Sequence, residues 1–125
     1  MYRLLLIGME NDKFTKIVTA LQGDKSVELD HADSGGGALA SLVEKPADLA
    51  VAAEELTDMT GLAFAAKLVV QNPMVTCALV SSLNKKDFHE ASEGLGILAQ
   101  LPPEPDASEA ASLVKKLSAI IGRIG

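Results

Sequence analysis

Residues 48–53 read Asp48-Leu49-Ala50-Val51-Ala52-Ala53, followed by the polar stretch Glu54 to Thr60 and then Gly61. The run from Leu49 to Ala53 has the length and apolarity of a buried strand, and the polar residues end it in a loop. Gly61 opens a helix through Leu62, Ala65, Leu68 and Val69, and Pro73 closes the unit. Reading outward, the same strand–loop–helix unit recurs. Leu4-Leu5-Leu6-Ile7 is a continuous apolar run ended by Gly8, which predicts a strand buried on both faces. Asn11 or Asp12 caps a helix starting near Lys13, with Phe14, Ile17, Val18 and Leu21 on one side and Gly23 at its end. Val27 and Leu29 alternate with Glu28 and Asp30, the pattern of a strand wet on one face. Ser34 precedes a helix through Leu39, Leu42 and Val43, stopped by Pro46. Beyond Pro73 follow a strand from Val75 to Val80, a short polar helix from Lys85 to Ser92, and a strand over Ile97-Leu98-Ala99. Next come a loop with Pro102, Pro103 and Pro105, and a last helix capped by Asp106 or Ser108 and running through Ile124.

Alternating strands and helices over this length predict an α/β three-layer sandwich around a parallel sheet, as one domain over residues 1–125. Right-handed crossovers and a half-polar second strand at the edge favour the doubly wound, flavodoxin-like order 2-1-3-4-5.

The formal net charge of −6 argues against a nucleic-acid surface, which needs clustered Lys and Arg. Aromatics make up only 3% of the chain, so aliphatic burial must drive folding. The single cysteine, Cys77, lies inside an apolar run and reads as a small buried hydrophobe. The apolar run after Arg3 is too short for a signal peptide or a membrane span, which makes the cytoplasm the expected compartment.

In doubly wound sheets, ligands bind beyond the carboxyl ends of the strands. The loops after strands one, three, four and five are therefore where chemistry is expected. There the sequence resembles the receiver domains of the two-component response-regulator family. Asp48-Leu49 and Gly61 stand at the family's offsets, with Ala53 eight residues before Gly61. Ala32-Asp33-Ser34-Gly35-Gly36-Gly37-Ala38-Leu39 matches the usual start of the second helix. Ser81 ends the fourth strand, and Gly94 and Pro102 keep the spacing of the last motif.

The resemblance also implies what is missing. The two acids that hold Mg²⁺ in receivers fall on Gly8 and Met9, the phosphoacceptor Asp on Ala53, the Lys on Leu101 and the aromatic switch on Leu98. Only the hydroxyl of Ser81 remains. Mg²⁺ requires hard oxygen ligands, and an acyl phosphate requires a carboxylate nucleophile. The expectation is a degenerate receiver that needs no phosphorylation and is not an enzyme. It would have no cofactor and no metal, and would bind a protein: an output domain, a kinase or a second copy of itself.

Other readings compete at particular residues. A one-residue slip would place Glu54 at the acceptor position as a permanent phosphate mimic, although the offset to Gly61 opposes it. Glu10 and Asp12 read as loop and cap residues before weak metal ligands. Gly35-Gly36-Gly37 reads as a permissive helix start and not a phosphate cradle, since the Lys-Ser/Thr pair of a P-loop is absent. His31 and His89 are isolated. Ser81-Ser82 has no base or orienting acid nearby in sequence. The rival class is a small flavodoxin-like enzyme or nucleotide-binding protein, but the loop Gly8-Met9-Glu10-Asn11-Asp12 is acidic and lacks hydroxyls.

The last helix suggests where a partner binds. Leu113, Leu117, Ile120, Ile121 and Ile124 form an apolar stripe that Val114 widens, and most of it must pack on the sheet. The small flank of Ala107, Ala110, Ala111 and Ala119, beside Leu98 and Leu101, is the candidate interaction face, with both leucines expected to be exposed. A cis bond before Pro102 is feasible.

Overall fold

The computed structural model describes residues 1–122. Its strands are β1 (Tyr2–Ile7), β2 (Val27–Ala32), β3 (Leu49–Ala52), β4 (Thr76–Val80) and β5 (Ile97–Leu101). All pair in parallel, in the order β2-β1-β3-β4-β5. The helices are α1 (Thr15–Gln22), preceded by a 3-10 turn over Asp12–Phe14, α2 (Gly35–Glu44), α3 (Gly61–Gln71), α4 (Lys85–Ala91) and α5 (Ala107–Gly122). Ile124, the last residue of the predicted stripe, lies outside the described residues.

The period-two alternation of the strands splits the core in two. Leu4, Leu6, Leu49 and Val51 face α1 and α5 and join Ile17, Leu21, Leu113 and Leu117. Leu5, Ile7, Ala50 and Ala52 face the other way and join Leu42, Phe64, Leu68 and Phe88. β3 is thus apolar at every position, and β1 from Leu4 and β4 from Cys77, because both faces of the sheet are covered there. β2 has only half-buried and exposed residues, as an edge strand should. Arg3 and Asp48 fix the lower end of the β1–β3 pair through two bonds of 2.8 Å, the Arg3 amide to the Asp48 carboxylate and the Asp48 amide to the Arg3 carbonyl.

Helix starts are capped by side chains, as predicted at Asn11 and Ser34 and without having been read from the sequence at Thr60 and Asn84. Asn11 accepts from the Lys13 amide, Ser34 from Gly37, Thr60 from Ala63 and Asn84 from Asp87. At α5, Asp106 accepts from the Ser108 amide (2.9 Å), while Glu109 reaches back to accept from the Asp106 amide (3.0 Å). Gly61 meets a harder demand, since a Cβ there would lie 2.5 Å from the Ala53 carbonyl oxygen. Cys77 is buried, and burial pushes its thiol up to about 12.

Four expectations need correction. β5 runs two residues beyond the predicted Ala99, so Leu101 is its last residue and is buried at 2% exposure. Ala110 is likewise buried, because it sits one turn before Leu113 on the inward side of α5. Leu98, also expected to be exposed, is half-buried and packs against the core. Among the described residues every peptide bond is trans, the Leu101–Pro102 bond included.

Candidate functional site

The strand ladders continue one residue past the strand ends and draw the candidate positions together. Gly8 donates its amide to Ala32 (2.9 Å), Ala53 to Ile7 (3.0 Å) and Ser81 to Leu101 (2.9 Å). Position 8 therefore follows β1, position 53 lies against the end of β1, and Ser81 lies against the end of β5. Gly8 has φ +69°, a left-handed conformation that disfavours a side chain, and a Cβ there would stand 2.8 Å from Leu56 Cδ2.

Met9, Ala53 and Leu101 are 1%, 4% and 2% exposed, and all three belong to the apolar cluster under α1 and α5, together with Val80 and Ala110. The carboxyl edge of the sheet is thus closed by an extension of the core. Above it remains a depression of about 160 Å³ lined by Gly8, Asn11, Lys13, Phe14, Ala53, Glu54, Glu55, Val80 and Pro103. Among the described residues, no three His, Cys, Asp or Glu side chains come together in a metal-binding group. Glu10 and Asp12 are exposed, and Glu10 lies 3.7 Å from the exposed His31.

Ala50, Val51 and Ala52 pair in unbroken register with both neighbours, and Ala53 continues the ladder by donating to Ile7. Alternation sends residue 53 toward α1 and α5, and residue 54 toward α4. From there the Glu54 carboxylate crosses to the loop after β4. It accepts from the Ser82 amide (2.9 Å), the Ser82 hydroxyl (3.0 Å) and the Ser81 hydroxyl (3.4 Å). On the opposite side of this loop, the Gln100 side-chain amide donates to the carbonyls of Leu83 (2.6 Å) and Ser81 (3.4 Å). The Ser81 hydroxyl also accepts from the Leu83 amide at 3.2 Å.

The loop 54–60 is tied down at its other end as well. Asp58 accepts the amides of Gly35 (2.8 Å) and Gly36 (2.9 Å) at the start of α2. The Gly36 amide first, and that of Gly35 next, hold the Asp58 carboxyl below its ordinary value. The glycine run is thus a helix start, as expected, and the anion it cradles belongs to the chain itself.

The candidate interaction face is divided by the structure. Leu98 opens onto a groove between α4, β5 and α5 with Phe88, His89, Ile97 and Lys116. Ala107 opens onto a different groove, against Thr15, Lys16, Thr19 and Ala20 of α1. Ala111 is exposed one turn further on, while Leu101 and Ala110 lie inside. The flank does not form a continuous surface: Ala107 faces α1, Ala110 is buried in the core, and Ala111 and Ala119 are exposed.

Gln100, Asp58 and Lys13 were not singled out from sequence. Gln100 had a signal: it is the only polar residue in the strand Ile97-Leu98-Ala99-Gln100-Leu101. Asp58 had only a turn-rich context, because its partners lie 22 and 23 residues away.

The chain is thus a doubly wound α/β domain whose carboxyl edge is apolar within and polar only at its rim. No protein-family model matches the sequence, and no curated protein matches it significantly. Solved structures do resemble it. The signal receiver domain of the response regulator NarL from Mycobacterium tuberculosis matches with TM-score 0.79 and 18% identity, over 94% of this chain and 96% of that one. The signal receiver domain of an HD domain-containing protein from Pseudomonas fluorescens Pf-5 matches with TM-score 0.81 and 21% identity, over 98% and 90%. The chemotaxis response regulator CheY4 of Vibrio cholerae matches with TM-score 0.79 and 16% identity, over 94% and 98%. The fold is that of response-regulator receiver domains. Among the described residues no helix is long and apolar enough to cross a membrane.

Proposed function

We propose that this chain is a cytoplasmic signalling module of the receiver type that binds a protein partner without being phosphorylated. One observation carries the reading: Met9, Ala53 and Leu101, which match the metal-binding, acceptor and lysine positions of receivers, are apolar and buried in one cluster. A Mg²⁺ ion would find no carboxylate at positions 8 and 9, and a phosphoryl donor no nucleophile at 53. The Glu54 carboxylate at the rim is already engaged with Ser81 and Ser82. Partner binding must then be encoded in the resting structure. The groove beside Leu98, with Ile120 exposed one turn beyond Lys116, is the better-supported part of the predicted face.

The test is incubation of the purified chain with acetyl phosphate and Mg²⁺, followed by intact-mass measurement. No added phosphoryl group is expected. A base-labile phosphoryl adduct, abolished by substitution at Glu54 or Glu55, would overturn the reading.

A further inference from the structure

We infer that Glu54 and Gln100 form a permanent latch, which holds residues 81–83, and with them the start of α4, in one fixed conformation. The inference deepens the phosphorylation-independent reading and rests on it. The loop after β4 is gripped from both flanks by side chains of neighbouring strands. From the β3 side, the Glu54 carboxylate takes the Ser82 amide and both serine hydroxyls. From the β5 side, Gln100 donates to the carbonyls of Ser81 and Leu83. The Ser81 hydroxyl closes the turn by accepting the Leu83 amide, and Asn84 then caps α4.

The amides of Ser82 and Leu83 and the carbonyls of Ser81 and Leu83 are therefore bound to side chains, while the Ser81 amide is held by the Leu101 carbonyl. A negative charge sits at the serine pair without any reaction having put it there. Hydrogen bonds to a carboxylate are stronger than those between neutral groups, so the Glu54 arm should contribute more than the Gln100 arm. Beneath the segment, a small apolar recess of about 170 Å³ lined by Leu62, Leu79, Leu83 and Phe88 runs up to Glu54, so the loop is braced by the latch more than by packing.

The experiment is amide hydrogen exchange on the intact chain, comparing the native protein with Glu54→Ala and Gln100→Ala. Exchange at Ser82 and Leu83 is expected to quicken about tenfold or more in Glu54→Ala, and less in Gln100→Ala, while amides of β1 and β3 keep their protection. The native protein mixed with Mg²⁺ and beryllofluoride should show no change at α4. Unchanged exchange at Ser82 and Leu83 in both variants would overturn the latch, whatever the phosphorylation result. If Glu54→Ala loosens the whole sheet, Gln100→Ala decides: local quickening supports the latch and none overturns it. A beryllofluoride-induced change at α4 would overturn both the fixed conformation and the reading beneath it, whereas a phosphoryl adduct without such a change would overturn only the latter.

Discussion

The Gly35 amide donates to the Asp58 carboxylate at 2.8 Å, joining the start of α2 to the loop after β3 across 23 residues. This bond and its twin from Gly36 hold the carboxylate in its charged form. The folded chain therefore binds the Asp58 proton less readily than the unfolded chain. Its stabilising effect is present above the unfolded value of about 3.9 and fades as pH falls through the lower folded value. Asp58→Ala should lower the melting temperature at pH 7, and the gap to the native chain should close on acidification below about pH 4. Thermal melts of both proteins from pH 7 to pH 3 measure this. A gap that stays constant with pH would show that the charge is not what matters.

Leu101 is the last residue of β5 and belongs to the core. Leu101→Ala should destabilise the chain by about 2–5 kcal/mol, the usual range for a buried leucine. Leu101→Lys should be worse, since a buried ammonium would lack a partner. Ala111→Glu, on the exposed side of α5, should stay within about 0.5 kcal/mol of the native value. Urea unfolding gives all three. A stable, folded Leu101→Lys protein would mean that this end of β5 is open to water.

Gly8 sits at φ +69°. Gly8→Ala should cost about 1–2 kcal/mol through backbone strain. The neighbouring Leu56 Cδ2, 2.8 Å from the added Cβ, is the end of a side chain that can rotate away. Adding Leu56→Ala to Gly8→Ala should therefore not restore stability. Denaturant titration of the single and double variants separates backbone strain from steric clash.

Leu98 lines the α4–β5–α5 groove with Lys116, and Ile120 is exposed one turn beyond Lys116; Ala107 opens toward α1, and Ala111 is exposed one turn beyond it. Under the proposed function, Leu98→Lys or Ile120→Glu should weaken partner binding or self-association about tenfold or more. Ala107→Glu should leave it unchanged. Sedimentation reads self-association, and titration against the captured partner reads binding. The reverse pattern would move the working surface to the α1–α5 groove.

The fold was legible because each strand announced itself through its own residues. Leu4 to Ile7 and Leu49 to Ala53 are apolar without a break because both faces are covered, while Val27 to Asp30 alternates because an edge strand has a wet side. Caps at Asn11, Ser34 and Asp106 involve partners two or three residues away, so local sequence was enough. The site was less legible. The end of β5 was misjudged because Gln100 interrupts its apolar pattern, yet Gln100 is polar in order to reach the loop after β4. The burial of Ala110 and the division of the α5 flank depend on the rotation of that helix, which its apolar stripe defines only within the width of the stripe. The Glu54 and Asp58 bonds join residues 22 to 28 positions apart, and no local pattern encodes such distances.

The apolar cluster that contains Met9, Ala53 and Leu101 constrains the mutational paths open to this chain. A lysine introduced alone at 101 would be a buried charge with nothing to answer it, and an aspartate alone at 53 would stand among methionine, valine and leucine. An acid at 8 would also have to overcome a left-handed backbone. Each change is unfavourable until the others are present, so their effects depend strongly on one another. A charged, metal-binding cluster is thus separated from the present sequence by a valley of less stable intermediates, which selection for a folded protein would keep the chain from crossing one substitution at a time.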